Sequence, residues 1–320
     1  MEGETRHTRI QTNGIRMHVA EQGDPEGPVV LFIHGFPELW LSWKHQMSES
    51  ARNGYRAIAP DLRGYGDTDS PPDPRLYTIL HLVGDLIGLL DHLKVQQAFV
   101  VGHDWGASVA WHLCLFRPDR VRALVNLGVP YIPQSPTNKP SNFFQNFGDG
   151  FYINQFQEPG RAESSFARHD VSTVIKKFLS TKIPSLIAPS GMEIIDFLDE
   201  PSQLPSWLSE DELKYFANKF QKSGFTGPLN YYRMMDVNWN LLAPWNGAKI
   251  CVPAKLIAGD KDIGFESFGT KDCITGDTFR NYVPNAEVVI IDGHHFLQQE
   301  RAEKVTEEIM TFFNSITKEK

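Results

Sequence analysis

The chain has 320 residues, 41% of them apolar and 22% charged, a globular composition long enough for a large core plus an insertion and unlike that of disordered chains. Its net charge of −8 argues against a nucleic-acid backbone or an anionic membrane surface as partner. The three cysteines, Cys114, Cys251 and Cys273, are too few and too far apart for a disulfide framework or a Cys-x-x-Cys motif.

In chain order, Arg9 to Thr12 and Ile15 to Ala20 flank Asn13-Gly14, a dipeptide suited to a two-residue hairpin turn. Val29 to Ile33 and Phe99 to Val101 are continuous apolar runs, as expected of parallel strands covered on both faces. The run Val29 to Ile33 is far shorter than the ~20 residues of a bilayer span, so no anchor and a soluble, cytoplasmic protein are expected. Between the two runs, Ile79, Leu82, Val83, Leu86, Ile87, Leu90 and Leu93 recur at helical spacing. Ala123 to Leu127, Ala254 to Ala258 and Val288 to Ile291 read as further buried strands, and Ala302 to Ile316 as an amphipathic closing helix. This alternation stops from about Pro130 to about Gly247, where Phe143, Phe144, Phe147, Phe151, Tyr152 and Phe156 crowd together. Within that stretch Ser209 to Glu212 fits a capping box ahead of Leu213, Phe216, Ala217 and Phe220, and a second helix is predicted to start at Pro228. The expected organisation is a core formed by 1–130 and 248–320 with an inserted helical lid at 131–247.

The segment Phe99 to Ala107 holds Gly102-His103-Asp104-Trp105-Gly106, a buried strand, then Gly-x-Asp-x-Gly, then a helix. This is the frame of a nucleophile elbow with Asp in place of the usual Ser, although a lone Asp ahead of a helix is more often only its N-cap. An Asp needs no base to activate it, being ionised at neutral pH, and its attack on an sp³ carbon gives an ester on the enzyme itself. Hydrolysis of that ester calls for a histidine base with an acidic partner, and for an oxyanion hole facing the nucleophile's own carboxyl. His294 and His295 follow the last predicted strand, and Asp260 and Asp262 follow the one before it, so position alone leaves two candidates for each role.

Taken with His34-Gly35-Phe36-Pro37-Glu38-Leu39-Trp40, Asp61-Leu62-Arg63-Gly64-Tyr65-Gly66, the lid tyrosines and His295-Phe296, the elbow segment resembles the epoxide hydrolases of the α/β-hydrolase fold, in particular the soluble plant enzymes. The resemblance covers nearly the whole chain. It implies an α/β fold with a mostly parallel central sheet, helices on both faces and an inserted lid, in the single-hydrolase form without the phosphatase domain of mammalian relatives. It selects His295 as base, because an aromatic residue and the run Gln299-Glu300-Arg301 follow it, and Asp262 as its acid through the pattern Gly-x-x-Asp. It further implies the backbone N–H groups of Phe36 and Trp105 as oxyanion donors, and Tyr152 and Tyr232 as the pair that protonates the departing epoxide oxygen. Tyr231, about 100° away on a helix, is expected to pack instead.

His34, Pro37, Trp105 and Phe151 are the expected substrate contacts, although His34 and His103 also suit a role in ordering nearby loops. Gly64-Tyr65-Gly66 reads as a loop near the mouth of the site rather than a dinucleotide motif. The expected activity is conversion of lipophilic epoxides, such as epoxy fatty acids and aryl or alkyl oxiranes, to vicinal diols. No cofactor, metal or nucleic acid is called for, and the protein is expected to be a monomer or weak homodimer. A haloalkane dehalogenase shares the Asp nucleophile but commonly carries an Asn donor where Phe36 stands. A non-catalytic receptor on the same scaffold usually keeps Ser at the elbow.

Overall fold

Asn13 and Gly14 take positive φ of 43° and 81°, which turns the chain between β1 (Arg6–Thr12) and β2 (Ile15–Gly23) with Thr12 opposite Ile15, as the hairpin reading predicts. The computed structural model describes residues 4–182 and 185–318. Six more strands complete one sheet: β3 (Val29–Ile33), β4 (Arg56–Pro60), β5 (Ala98–His103), β6 (Val121–Leu127), β7 (Ala254–Gly259) and β8 (Ala286–Ile291). Their order is β1-β2-β4-β3-β5-β6-β7-β8, antiparallel across β1, β2 and β4 and parallel from there on.

The apolar runs are continuous because each strand alternates between two separate cores. Val30, Phe32, Ala57, Ala59, Phe99 and Val101 point to one face, where Trp43, Met47 of helix Lys44–Arg52 and Val305, Ile309 and Phe313 of helix Ala302–Lys318 cover them. Leu31, Ile33, Ile58, Val100 and Leu124 point to the other, against Leu82, Leu86 and Leu90 of helix Ile79–His92 and Val109 and Leu113 of helix Trp105–Phe116. Full burial of each such aliphatic side chain contributes about 1.5–3 kcal/mol. The strand predicted at Val288 to Ile291 differs from the expectation of full burial. β8 lies at the sheet edge with a neighbour on one side only, and Ile290 is 44% exposed.

Between β6 and β7 the described residues form helices and one isolated bridge, Phe151 with Ile187. Ser209 caps helix Glu210–Ser223 through the predicted box with Glu212, and Leu213, Phe216 and Phe220 are its buried face. The next helix, Thr226–Arg233, starts two residues ahead of the predicted Pro228, which still lies in the first turn, where a missing N–H costs no intrahelical bond. Among the described residues no helix is long and apolar enough to cross a membrane.

Candidate active site

In the sheet, β4 lies on one side of β3 and β5 on the other, so the chain changes direction between β3 and β5. The loops leaving the carboxyl ends of these two strands therefore face a crevice, where open α/β sheets bind ligands. His34 to Pro37 leaves β3 and Asp104 leaves β5 at that point. Asp104 takes φ 53° and ψ −120°, a costly conformation for a residue with a Cβ. Its carboxylate makes no capping bond to helix Trp105–Phe116, which separates it from the ordinary N-cap.

The flanking glycines make the turn possible. A Cβ on Gly102 would sit 2.6 Å from the Gly106 carbonyl oxygen, and one on Gly106 only 2.0 Å from that of Ile33. Gly35 brings the β3 loop against the carboxylate, since a Cβ there would sit 2.5 Å from Asp104 Oδ1. The Phe36 N–H then donates to that oxygen at 2.7 Å.

The other carboxylate oxygen of Asp104 lies 3.6 Å from His295 Nε2, and His295 Nδ1 lies 2.9 Å from Asp262 Oδ1. The structure thus joins Asp104, His295 and Asp262 in one line. Asp260 is exposed and accepts the Gly293 N–H at 3.2 Å, while His294 pairs with Glu300 at 2.9 Å, so neither alternative reaches Asp104. Burial by itself pulls the His295 pKa down, but the charge of Asp262 and the bonds and charge of Asp104 outweigh it and hold the imidazole well above its ordinary 6.5. Burial conversely pushes Asp104 up, and the hydrogen bond and charge of His295 with the Phe36 N–H bring it below 3.8. The two side chains retain 16% and 18% exposure, so a small molecule can approach the pair.

The lid roofs this line with aromatic rings. Tyr152 opens helix Tyr152–Gln157 and Tyr232 sits on helix Thr226–Arg233, their rings 6.0 Å apart. Tyr232 also packs edge-on against Phe36 at 5.7 Å and Trp105 at 5.0 Å. Burial first, then the negative charge of Asp104, raises the pKa of both phenols, so each holds its proton. Tyr231 points away, fully buried, with its hydroxyl donating to the Arg63 carbonyl at 2.8 Å.

The four expected substrate contacts divide. Trp105 is half-buried beside Tyr232. Pro37 is buried directly after Phe36. His34 is corrected from a contact to a loop tie. It is fully buried, its Nδ1 bonds to the Gly35 carbonyl at 2.9 Å and its Nε2 accepts from the Leu62 N–H at 3.0 Å. Phe151 is likewise corrected, being fully buried behind Tyr152 among Phe144, Phe147 and Phe268. Nor does Gly64-Tyr65-Gly66 form a mouth, because Tyr65 is fully buried against Phe220 and Tyr231 where lid and sheet meet.

One supporting residue was missed at the sequence level. Glu38, fully buried, bonds His103 Nδ1 at 2.7 Å and accepts from the side-chain amides of Gln298 at 2.7 Å and Gln299 at 3.0 Å. His103 Nε2 in turn lies 2.8 Å from the His295 carbonyl oxygen. The only sign of this network in the sequence is a lone acid inside the apolar stretch from Phe36 to Trp40. Among the described residues no group of three or more His, Cys, Asp or Glu side chains is arranged to hold a metal.

Comparison with known proteins gives the family of the whole chain. The α/β hydrolase fold family matches residues 28–302. Epoxide hydrolase 2 of Siraitia grosvenorii is 52% identical over 96% of this chain and 97% of its own length. Epoxide hydrolase A of Mycobacterium tuberculosis is 39% identical over 96% and 97%. The crystal structure of an epoxide hydrolase from Vigna radiata matches with a TM-score of 0.91 at 48% identity, covering 98% of this chain and 99% of that one. Potato epoxide hydrolase I matches with 0.92 at 45% identity over 98% and 100%. With fold and sequence agreeing over nearly its whole length, the chain is a hydrolase that belongs to the α/β-hydrolase fold family, among its plant-type epoxide hydrolases.

Proposed function

We propose that this enzyme opens lipophilic epoxides, of the epoxy fatty acid and aryl or alkyl oxirane classes, to vicinal diols through an alkyl ester on Asp104. The observation that carries the reading is the divided carboxylate of Asp104, one oxygen on the Phe36 N–H and the other toward His295, under a roof that includes two phenols. The oxygen facing His295 attacks an sp³ carbon of the oxirane. The carbon–oxygen bond breaks, its electron pair stays on oxygen, and Tyr152 or Tyr232 supplies the proton. Water then attacks the carboxyl carbon of the ester, His295 Nε2 takes its proton, and the N–H groups of Phe36 and Trp105 hold the oxyanion until the diol leaves. Before water attacks, the charged imidazole gives its resting proton to the tyrosinate, so the proton that His295 then takes from water restores its resting charge, and no cofactor enters the cycle.

The timing follows from charge. While Asp104 is ionised, it helps to keep His295 protonated. Esterification removes that charge, so the pKa of His295 falls just when a base is required. A dehalogenase is less well supported, since Phe36 has no side-chain donor for a halide and a halide needs no phenol. A receptor role is less well supported because every position of the proposed catalytic line is filled. The same reading takes 131–247 as a lid on a core of 1–130 and 248–320, in a cytoplasmic monomer or weak homodimer.

Two variants test the assignments. Tyr152→Phe combined with Tyr232→Phe is expected to slow alkylation by about 10²–10⁴-fold, the range of a general acid, as read from the single-turnover rate with an aryl epoxide. A loss below tenfold removes the phenols as acids. Asp262→Asn is expected to slow ester hydrolysis by at least about 100-fold by loosening the imidazole, whereas Asp260→Asn leaves it within about twofold. The reverse order in a rapid-quench trace transfers the acid to Asp260.

A further inference from the structure

We propose that Tyr231 is a positioning residue for the acid Tyr232, clamped to the sheet domain through the Arg63–Asp85 pair, an inference that rests on the function proposed above. The two tyrosines are consecutive in helix Thr226–Arg233, so fixing the roll and depth of one side chain fixes the other. The anchor is built in layers. Arg63 forks onto Asp85 with Nε to Oδ2 at 2.8 Å and Nη2 to Oδ1 at 2.5 Å, both side chains 2% exposed. Asn13, in the first hairpin turn, braces the pair by donating to Asp85 Oδ1 at 2.9 Å and accepting from Arg63 Nη2 at 3.2 Å. The Arg63 side chain is therefore held by the β1–β2 turn and helix Ile79–His92 together, and the carbonyl of the same residue is the acceptor for the Tyr231 hydroxyl at 2.8 Å.

Close packing adds to the bond. The Cα of Gly64 lies 2.7 Å from where a Cβ on Gly227 would be, so the first turn of the tyrosine helix lies directly on the loop that carries Arg63. The Trp105 ring touches both tyrosines, at 5.7 Å from Tyr231 and 5.0 Å from Tyr232. On the far side, Gln157 donates to the Tyr232 carbonyl at 3.1 Å, which links this helix to the one bearing Tyr152. A tyrosine that served packing alone would be replaceable by phenylalanine without effect. Here the hydroxyl is the side-chain hydrogen bond that ties Tyr231 to the sheet domain, 168 residues away in sequence.

The test follows alkylation and ester hydrolysis separately, by rapid quench with an aryl epoxide, in the wild type, Tyr231→Phe, Tyr232→Phe and the double variant. Tyr231→Phe is expected to slow alkylation about tenfold, inside the ~100-fold that a 1 Å misplacement costs, with ester hydrolysis within twofold of wild type. On the Tyr232→Phe background it is expected to cause no further loss, because its effect passes through the Tyr232 hydroxyl. Unchanged alkylation, equal slowing of both steps, or the same factor on both backgrounds overturns the proposal. If circular dichroism shows Tyr231→Phe unfolded, Asp85→Asn, which leaves both tyrosines intact and loosens Arg63, carries the same expectation and the same overturning results. A wild type that accumulates no alkyl-enzyme overturns the function it rests on, whereas accumulation with an unaffected Tyr231→Phe overturns the clamp alone.

Discussion

Replacing Asp104 with alanine is expected to lower epoxide turnover on the order of 10⁴-fold or more, since a missing nucleophile leaves only binding and the oxyanion donors. The fold is expected to survive, because the glycines that permit the turn remain and the strained backbone loses no capping bond. Turnover near the wild-type level in a folded variant would move the nucleophile elsewhere. The same variant reports on the Asp104–His295 pair through pH. The His295 pKa is raised, so its contribution to stability is full below 6.5 and disappears as pH rises through the higher folded value. The Asp104 pKa is lowered, so its contribution is full above 3.8 and disappears as pH falls through the lower folded value. Melting temperatures measured across pH should therefore show a pair contribution that is greatest between 3.8 and 6.5 and absent from Asp104→Ala.

His295→Gln is expected to form the ester and then stall, with hydrolysis slowed by about 10³-fold or more for loss of the base. Intact mass reads the result directly. An epoxide adds its whole mass, because the ring oxygen stays on the alkyl group, whereas a chloroalkane adds only the alkyl group and loses chloride. A whole-epoxide adduct mapped to Asp104, with none from the chloroalkane, supports the epoxide reading. An adduct from the chloroalkane alone would make the enzyme a dehalogenase, and none from either would remove the covalent mechanism. In the wild type, hydrolysis should accelerate with rising pH through a His295 pKa lower than that of the resting enzyme, while alkylation proceeds with the imidazole charged. A hydrolysis rate flat from pH 5 to 8 would contradict the proposed change of His295 from partner to base.

Much of this enzyme could be read from local pattern. Asn13-Gly14 specifies its own turn, Val29 to Ile33 suits a strand covered on both faces, and Ser209 with Glu212 caps a helix within four residues. The glycines around Asp104 belong to the same class, because the constraint they relieve lies within a few residues of the elbow and in the adjacent strand. The family pattern selected Asp262 over Asp260, and the loop after β7 agrees by turning Asp262 toward His295 and leaving Asp260 outside.

Other features were decided only by tertiary structure. Burial removed His34 and Phe151 from the substrate, since a histidine or a phenylalanine has the same letter whether it faces a cavity or a core. It also turned Glu38 from an acid without an assigned role into the centre of a network whose partners lie 65, 260 and 261 residues away. The sequence by itself determined seven of the eight strands, the capping box and the elbow, because those depend on contacts within a turn or along a strand. The meeting of Asp104 with His295, the tie from Tyr231 to Arg63 and the buried acid behind them required the fold, because desolvation and hydrogen bonding between distant residues come into being only when the sheet and the lid close on each other.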